Sequence, residues 1–548
     1  MLLAGATYDE LYRSARWTVP THFNIARSVS DRHARAKPTA PALIEVAEGG
    51  QAQTWTFSEV DGKACRLANA LSGLGVSRGT IVAVHLSQSI ECLLAHLAVL
   101  KLGAIVMPLF GLFGPDAMAY RLVDSEAPVL ISTSASLERI AEGIADVGTL
   151  RHVIAVGGAA PPLGPDRTTH EFHALLQRGA SVRATLDTAA DDPAYLMYTS
   201  GTTGNPKGVL HAHRVLIGHL PGVMVPHDLF PKPGDRFWTP ADWAWAGGIF
   251  DVLLPSLYFG VPVVAQRMAK FDPEAAFALL AAHQIRNVFM PPTALRLMRQ
   301  VPKPAERHSY KLRSLATGGE PLGADMIAWG HETFGLTFAE FYGQTECNLV
   351  VGNCPSVFPP RPGSMGRPIP GHEVTIVDRD GNVLPRGETG IVAVRRPDPV
   401  IFLEYWRQPE ATADKFRGDW CLLGDIATQD EDGYFWFQGR DNDIIKSSGY
   451  RIGPGEVEEC LVKHPAVALA GVVGTPDPVR GEVVTAFIVP AKGHAPGPEL
   501  AADIQAFVKE RLAAHEYPRK IRFLEEMPMT VTGKVRRVDL RQLDRDMG

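Results

Sequence analysis

The stretch "YTSGTTGNPKG", Tyr198 to Gly208, gathers hydroxyl side chains at Thr199, Ser200, Thr202 and Thr203, glycines at Gly201, Gly204 and Gly208, and the ammonium of Lys207. Glycines let backbone amides close on a ligand, while hydroxyls and a lysine offer donors to an anion. A nucleotide phosphate is the chemistry such a loop suits. The Walker pattern does not fit: the second glycine it needs falls at Pro206, and Lys207 precedes Gly208 rather than Ser or Thr. The sequence therefore describes a phosphate loop of another design.

The elements that must hold this loop read as α/β. "DDPAYLM" just before it is a short apolar run, as expected of a buried strand. From about Ala42 to Gly260, helical patterns alternate with the β-branched runs "TIVAVHL", "PVLISTS", "HVIAVGG" and "VPVVAQ". That alternation predicts layered α/β subdomains with largely parallel sheets. Near Ser364 the pattern turns to antiparallel strands around Asp380-Gly381, a small β-barrel-like part. A smaller α+β unit follows "FQGRDNDIIKSSGYR". In it, "ELAADIQAFVKERLAAHE" sets Leu500, Ile504, Phe507, Val508 and Leu512 on one helical face. At 548 residues the chain exceeds one core. The expected division is a large domain over 1–440 and a mobile smaller one over 441–548.

Composition narrows the function. Lys+Arg 54 against Asp+Glu 60 gives a net charge of −6 without a basic block, which argues against nucleic acid as a partner. Six cysteines without a CxxC pair suit reduced thiols and a cytoplasmic location, not structural zinc. Asp9 and Glu10 fall where a signal peptide needs its apolar stretch. The most apolar run, "CLLAHLAVLKLGAIVMPLFG", is interrupted by His96, Lys101 and Pro108, so it reads as a buried helix followed by a strand rather than a membrane span.

Further signals follow the loop in a fixed order: "GGEP" (Gly318–Pro321), "YGQTE" (Tyr342–Glu346), Gly424-Asp425, Gly439-Arg440, "SSGYRIGPGEVE" (Ser447–Glu458) and "TVTGKVRR" (Thr530–Arg537). In this combination the chain resembles the adenylate-forming superfamily over nearly its whole length. Within it, the medium-chain acyl-CoA synthetase and acetyl-CoA synthetase branch is the nearest resemblance. The resemblance implies an enzyme that turns a carboxylic acid and ATP into acyl-AMP and pyrophosphate, then passes the acyl group to CoA. It implies that Thr199, Ser200, Thr202, Thr203 and Lys207, with Gly201 and Gly204, grip the β- and γ-phosphates. Thr345 would bind the α-phosphate, and Glu346 would ligate Mg²⁺, a hard ion suited to carboxylate and phosphate oxygens. Tyr342, Gly343, Gly319, Glu320 and Pro321 would enclose adenine. Asp425 would hold the ribose hydroxyls, and Arg440 would reach ribose or phosphates. Lys534 would neutralise carboxylate and α-phosphate together during adenylation.

The same resemblance gives the small domain two tasks. It would rotate about a hinge at Asn442, where the branch usually has aspartate, and withdraw Lys534. That turn would bring Gly449, Tyr450 and Arg451 to the CoA channel. For the acid, Gly343 stands where the acetate-specific branch carries a tryptophan. Trp245 matches the branch's tryptophan, beside the small Ala246, Gly247 and Gly248. A roomy apolar pocket for a short- or medium-chain, branched or aromatic monocarboxylic acid, rather than acetate, is the expectation, with Trp243 as a wall or simply core. Two alternatives remain. The acyl group could go to a carrier-protein thiol, necessarily a free one because 14 residues follow Lys534. The chain could also be a silent nucleotide- or acyl-binding regulator, against which stand Lys534 and Glu346.

Overall fold

The computed structural model describes residues 7–164, 166–199, 206–268, 270–320, 322–440, 443, 445–447, 450–477, 480–512, 516–530 and 533–547. The chain packs as two compact units. One takes the chain up to Thr199 with Lys207–Val374 and Val394–Cys421; the other takes Thr375–Ala393 and Leu422–Gly548. Arg440 thus lies within the second unit. Residues before that point pack within the second unit: Gly453 approaches Gln438 so closely that a Cβ would lie 2.1 Å from the Gln438 carbonyl oxygen.

The first unit is built on two sheets with helices against them. The eight-stranded sheet runs in the order Glu404–Tyr405, Gly208–Ala212, Pro193–Tyr198, Ile105–Pro108, Ile81–His85, Val129–Thr133, His152–Val156 and Thr168–Glu171. It is parallel from Pro193–Tyr198 onward and antiparallel at the first two pairings. The nine-stranded sheet has parallel strands Pro41–Val46, Val263–Gln266, Phe237–Trp238, Asn287–Phe289, Ser314–Gly318 and Ala339–Gln344 at its centre, with antiparallel strands at both edges. The central parallel strands Ile81–His85, Ile105–Pro108 and Val129–Thr133 are buried along nearly their whole length, as expected where both faces of a sheet are covered, while the edge strand Thr168–Glu171 is not. The parallel α/β layering read from the sequence is therefore observed.

The apolar run around Lys101 is the helix Ile90–Lys101 followed by the strand Ile105–Pro108. Among the described residues, no helix is long and apolar enough to cross a membrane. In the second unit, Val467–Asp477 and Gly481–Pro490 pair antiparallel, and Lys520–Phe523 joins the latter in parallel. The helix Pro498–Arg511 buries Ile504 and Val508 on that core, with Leu500, Phe507 and Leu512 packed at its margin. The Asp380-Gly381 turn is closed by Asp378, whose Oδ1 accepts from the Asp380 and Asn382 amides, each at 2.9 Å.

Candidate active site

The segment read as a phosphate loop connects two paired strands. Strands Pro193–Tyr198 and Gly208–Ala212 pair antiparallel with Tyr198 opposite Gly208, and the Thr199 amide donates to the Lys207 carbonyl at 3.0 Å across the neck. Ser200, Gly201, Thr202, Thr203 and Gly204 lie outside the described residues. Three contacts hold the base from outside. The Tyr198 hydroxyl donates to Asp124 at 2.5 Å, the Trp406 indole donates to the Asp124 carbonyl at 3.1 Å, and the Trp406 amide donates to the Gly208 carbonyl at 2.7 Å. Burial, and then Asp124, push the Tyr198 phenol well above its usual range, so it stays a donor. At Gly208 a Cβ would meet Leu196 at 2.9 Å and Trp406 at 3.1 Å, so a side chain here would crowd both neighbours.

Thr345 and Glu346 form the two-residue turn between Ala339–Gln344 and Cys347–Gly352, with Gln344 opposite Cys347. Glu346 Oε1 accepts from the Tyr405 hydroxyl at 2.5 Å, and Lys207 Nζ sits 4.9 Å from the centre of the same Tyr405 ring. Lys207, expected to bind phosphate, and Glu346, the expected metal ligand, thus meet on one tyrosine. Sequence reasoning missed Tyr405, since nothing in "FLEYWRQPE" separates it from an ordinary strand aromatic. Among the described residues, no group of three or more His, Cys, Asp or Glu could hold a metal by itself. A lone hard carboxylate on a turn fits Mg²⁺ bound mainly through substrate phosphates, the ion's usual habit. Neighbouring His211 and Cys347 offer no chemistry: burial first of all lowers His211 to about 3 and raises Cys347 well above its usual value.

"GGEP" and "YGQTE" converge at the carboxyl ends of adjacent parallel strands, where Gly318 lies opposite Phe341. Open α/β sheets commonly bind ligands outside such ends. A Cβ on Gly318 would come within 2.7 Å of the Phe341 ring, and Gly319 has φ 93°. Glu320 pairs with Arg296 at 3.2 Å, Tyr342 is buried, and Pro321 lies outside the described residues.

In the second unit, Asp425 and Arg440 are directly opposed across an antiparallel pair, with Arg440 Nε 3.5 Å from Asp425 Oδ1. Two motifs read separately in the sequence are one cross-strand pair. Lys534 sits on a tight turn stapled from both sides: Thr530 N donates to the Lys534 carbonyl at 2.7 Å, and Lys534 N donates to Thr530 Oγ1 at 3.0 Å. Gly533, at φ 82°, supplies the left-handed residue. Asn442 and Gly449 lie outside the described residues, while Tyr450–Ile452 forms a strand against Ile445–Ser447. Beside the expected hinge, Asp443 accepts from Arg541 at 2.8 Å and from Arg537 at 3.3 Å, and Arg537 also binds Glu458 at 2.6 Å. The chain after Asn442 is thereby tied to the helix that follows Lys534, a link the sequence did not disclose.

The residues expected to line the acyl pocket fall into two groups. Trp245 packs on Phe289 at 5.7 Å, and Phe289 on Phe341 at 5.2 Å. Ala246–Gly248 is one helical turn, and a Cβ on Gly247 would meet Phe289 at 2.7 Å. Trp243 is 1% exposed and belongs to the main core. The expectation of open room at Gly343 needs correcting. A Cβ there would lie 2.4 Å from Leu349 N and 2.5 Å from Asn348 Oδ1, so the strand after the turn folds into the direction a side chain would take.

Comparison with known proteins completes the picture. The AMP-binding enzyme family model matches residues 30–406, and the model for the AMP-binding enzyme C-terminal domain matches residues 456–534. The chain is 36% identical over 546 residues to the acetyl-coenzyme A synthetase of Bacillus subtilis (strain 168), covering 97% of this chain and 94% of the relative. It is 34% identical over 556 residues to the mitochondrial acyl-coenzyme A synthetase ACSM4 of Homo sapiens, covering 98% and 93%. Among solved structures it is similar to the anthranilate CoA ligase AuaEII in complex with anthranoyl-AMP, with a TM-score of 0.84, 29% identity and coverage of 96% and 98%.

Proposed function

Because the chain belongs to the AMP-binding enzyme family, and is an ATP-dependent, AMP-forming acyl-CoA ligase that uses Mg²⁺ and CoA, we propose how its own residues divide the work and which acids it takes. The observation that carries the proposal is the meeting of Lys207 and Glu346 at Tyr405. It brings the lysine for the departing phosphates and the carboxylate for the metal to one place.

In the first half-reaction a carboxylate oxygen attacks the α-phosphorus, and the bond to the bridging oxygen of pyrophosphate breaks. Lys207 and Thr199 hold the leaving phosphates, and the Thr345 hydroxyl positions the α-phosphate. Glu346 would hold Mg²⁺ together with the substrate's phosphates, and the ion when bound would supply charge neutralisation. Tyr342 and the Gly319–Glu320 segment flank adenine, and Asp425 with Arg440 serves the ribose side. Lys534 screens the incoming carboxylate from the phosphate, the repulsion that otherwise blocks approach. In the second half-reaction the CoA sulfur attacks the acyl carbon and AMP leaves. The C-terminal residues 441–548 turn at Asn442 between the steps, carrying Lys534 away and bringing the segment around Gly449–Arg451 to CoA. The six buried free thiols accord with a reducing compartment, and we read the protein as cytoplasmic.

For the acid, we favour a short- or medium-chain, branched or aromatic monocarboxylate over acetate. The aromatic run Trp245–Phe289–Phe341 and the lack of Lys, Arg or His in "PADWAWAGGIFDVLLP" support this reading, as does the anthranoyl-AMP ligand of a similar structure. The test uses purified protein, ATP, Mg²⁺ and acids from acetate to decanoate, branched acids and benzoates, with pyrophosphate and acyl-CoA followed separately. Acyl-CoA from C4 and larger acids, with acetate a poor substrate, is expected; acetate as the best substrate would overturn this reading of the acid. Lys534→Ala should slow pyrophosphate release by about 10²–10³-fold while supplied acyl-AMP still yields acyl-CoA. Equal loss in both half-reactions would sink the assigned role.

A further inference from the structure

A buried polar pair spans the two groups of acyl-pocket residues. Asp251 lies in the π-helical segment Ile249–Leu253, which directly continues the turn Ala246–Gly248. Asn348 lies on the strand after Glu346, with Oδ1 2.5 Å from where a Cβ of Gly343 would stand. Asn348 Nδ2 donates to Asp251 Oδ1 at 2.7 Å, and the residues are 8% and 2% exposed. One hydrogen bond therefore ties the wall carrying Trp245 to the wall carrying Gly343. π-helical turns in otherwise α-helical runs are frequent at functional sites.

The pair is only half satisfied. Asp251 Oδ2, Asn348 Oδ1 and the second Nδ2 hydrogen make no hydrogen bond among the described residues. Burial raises the Asp251 carboxyl well above its usual range, against the hydrogen bond from Asn348, which lowers it, and so favours the form that carries an O–H. A neutral carboxylic acid beside a primary amide offers donors and acceptors close together. For a wholly apolar acyl chain such a pair is a poor wall, because buried polar groups without partners cost free energy that Leu or Val would not.

We propose that Asp251 and Asn348 form a specificity element that takes a hydroxyl substituent on the acyl group. The proposal rests on the acyl-CoA ligase reading above and deepens it: the acid is a hydroxylated short-chain or aromatic monocarboxylate, its hydroxyl accepting from one member of the pair and donating to the other. A site that hydrogen-bonds a substrate hydroxyl discriminates against the analogue without it far more strongly than an apolar pocket discriminates one methylene. With the two side chains already bonded to each other, about tenfold to hundredfold is expected here.

The experiment compares kcat/KM for matched acids in the full-length enzyme with ATP, Mg²⁺ and CoA: hexanoate against its 3- to 6-hydroxy derivatives, and benzoate against the three hydroxybenzoates. At least one hydroxylated acid should exceed its parent by about tenfold or more. In Asp251→Leu and in Asn348→Val that preference should shrink to about twofold with KM for ATP unchanged, while Asp251→Asn keeps most of it. Parent acids preferred throughout by the wild-type enzyme would overturn the proposal without any variant. A preference that survives both substitutions, or activity on all acids falling in parallel, would make the pair a structural tie only. Acyl-CoA formed from acetate but from no acid in the panel would instead overturn the reading of the acid beneath it.

Discussion

Tyr405 shows what one residue contributes when two motifs converge on it. Its hydroxyl holds the Glu346 carboxylate while its ring faces Lys207, so the carboxylate is oriented before ATP arrives. Hydrogen bonds to charged groups are worth roughly 1.5–3 kcal/mol. Tyr405→Phe should therefore slow adenylation by about 10- to 100-fold and raise the Mg²⁺ needed for half-maximal rate. Pyrophosphate exchange followed across a Mg²⁺ titration checks this; a rate within about twofold of wild type would show that Tyr405 is mere packing. Glu346 was legible in the sequence because its neighbours form a recognisable pattern. Tyr405 was not, because it stands 59 residues away and only sheet pairing brings it back. Gly343 teaches the converse. Its identity was plain, but the inference of empty space failed, since a neighbouring strand fills what a side chain leaves.

At the scale of elements, the helix Ile90–Lys101 is the clearest case of partial legibility. Ser89 caps it by accepting from the Cys92 amide, and ten of its side chains besides Lys101 are buried. The charges that exclude a membrane in the sequence take a different part in the fold. Lys101 is 0% exposed and binds Asp31 at 2.5 Å and Asp61 at 2.7 Å, with Thr185 Oγ1 at 3.3 Å. Burial draws the ammonium's pKa down, but Asp61 and Asp31 outweigh it and hold it above the usual lysine value. The cluster joins this helix to Phe57–Gly73 and to the segment around Asp31, contacts far apart in sequence. Removing one partner leaves charge buried and uncompensated, so Lys101→Ala should cost about 3–5 kcal/mol in urea denaturation. A loss below about 1 kcal/mol would mean the carboxylates find water instead. Helix and strand were readable from periodicity; the ion cluster was not, since periodicity says nothing of partners beyond the element.

For the molecule as a whole, acid should be the weak side. Burial lowers His96, His211, His213, His219 and His227 to about 3, and His85 to about 4. Their folded values lie below the unfolded value near 6.5, so the stability they contribute is complete above about pH 6.5 and is lost as pH falls from there. Each adds about 1.4 kcal/mol per pH unit to the slope once the unfolded chain holds its proton. Calorimetric Tm should fall ever more steeply between pH 6.5 and 4.5, and a Tm flat to pH 5 would mean these rings gain protons without unfolding. The two-residue strand Glu404–Tyr405 has a temporal consequence as well. It pairs with Gly208–Ala212 and completes the edge of a sheet whose other strands end by Ala212. On the ribosome that edge waits for residue 405, roughly ten to forty seconds at ordinary elongation rates. During that interval a nascent chain bears an unpaired apolar strand, open to pairing with its neighbours on a polysome. Yield in cells should thus respond to chaperone supply and to translation speed through residues 213–405 before it responds to the stability of the finished enzyme.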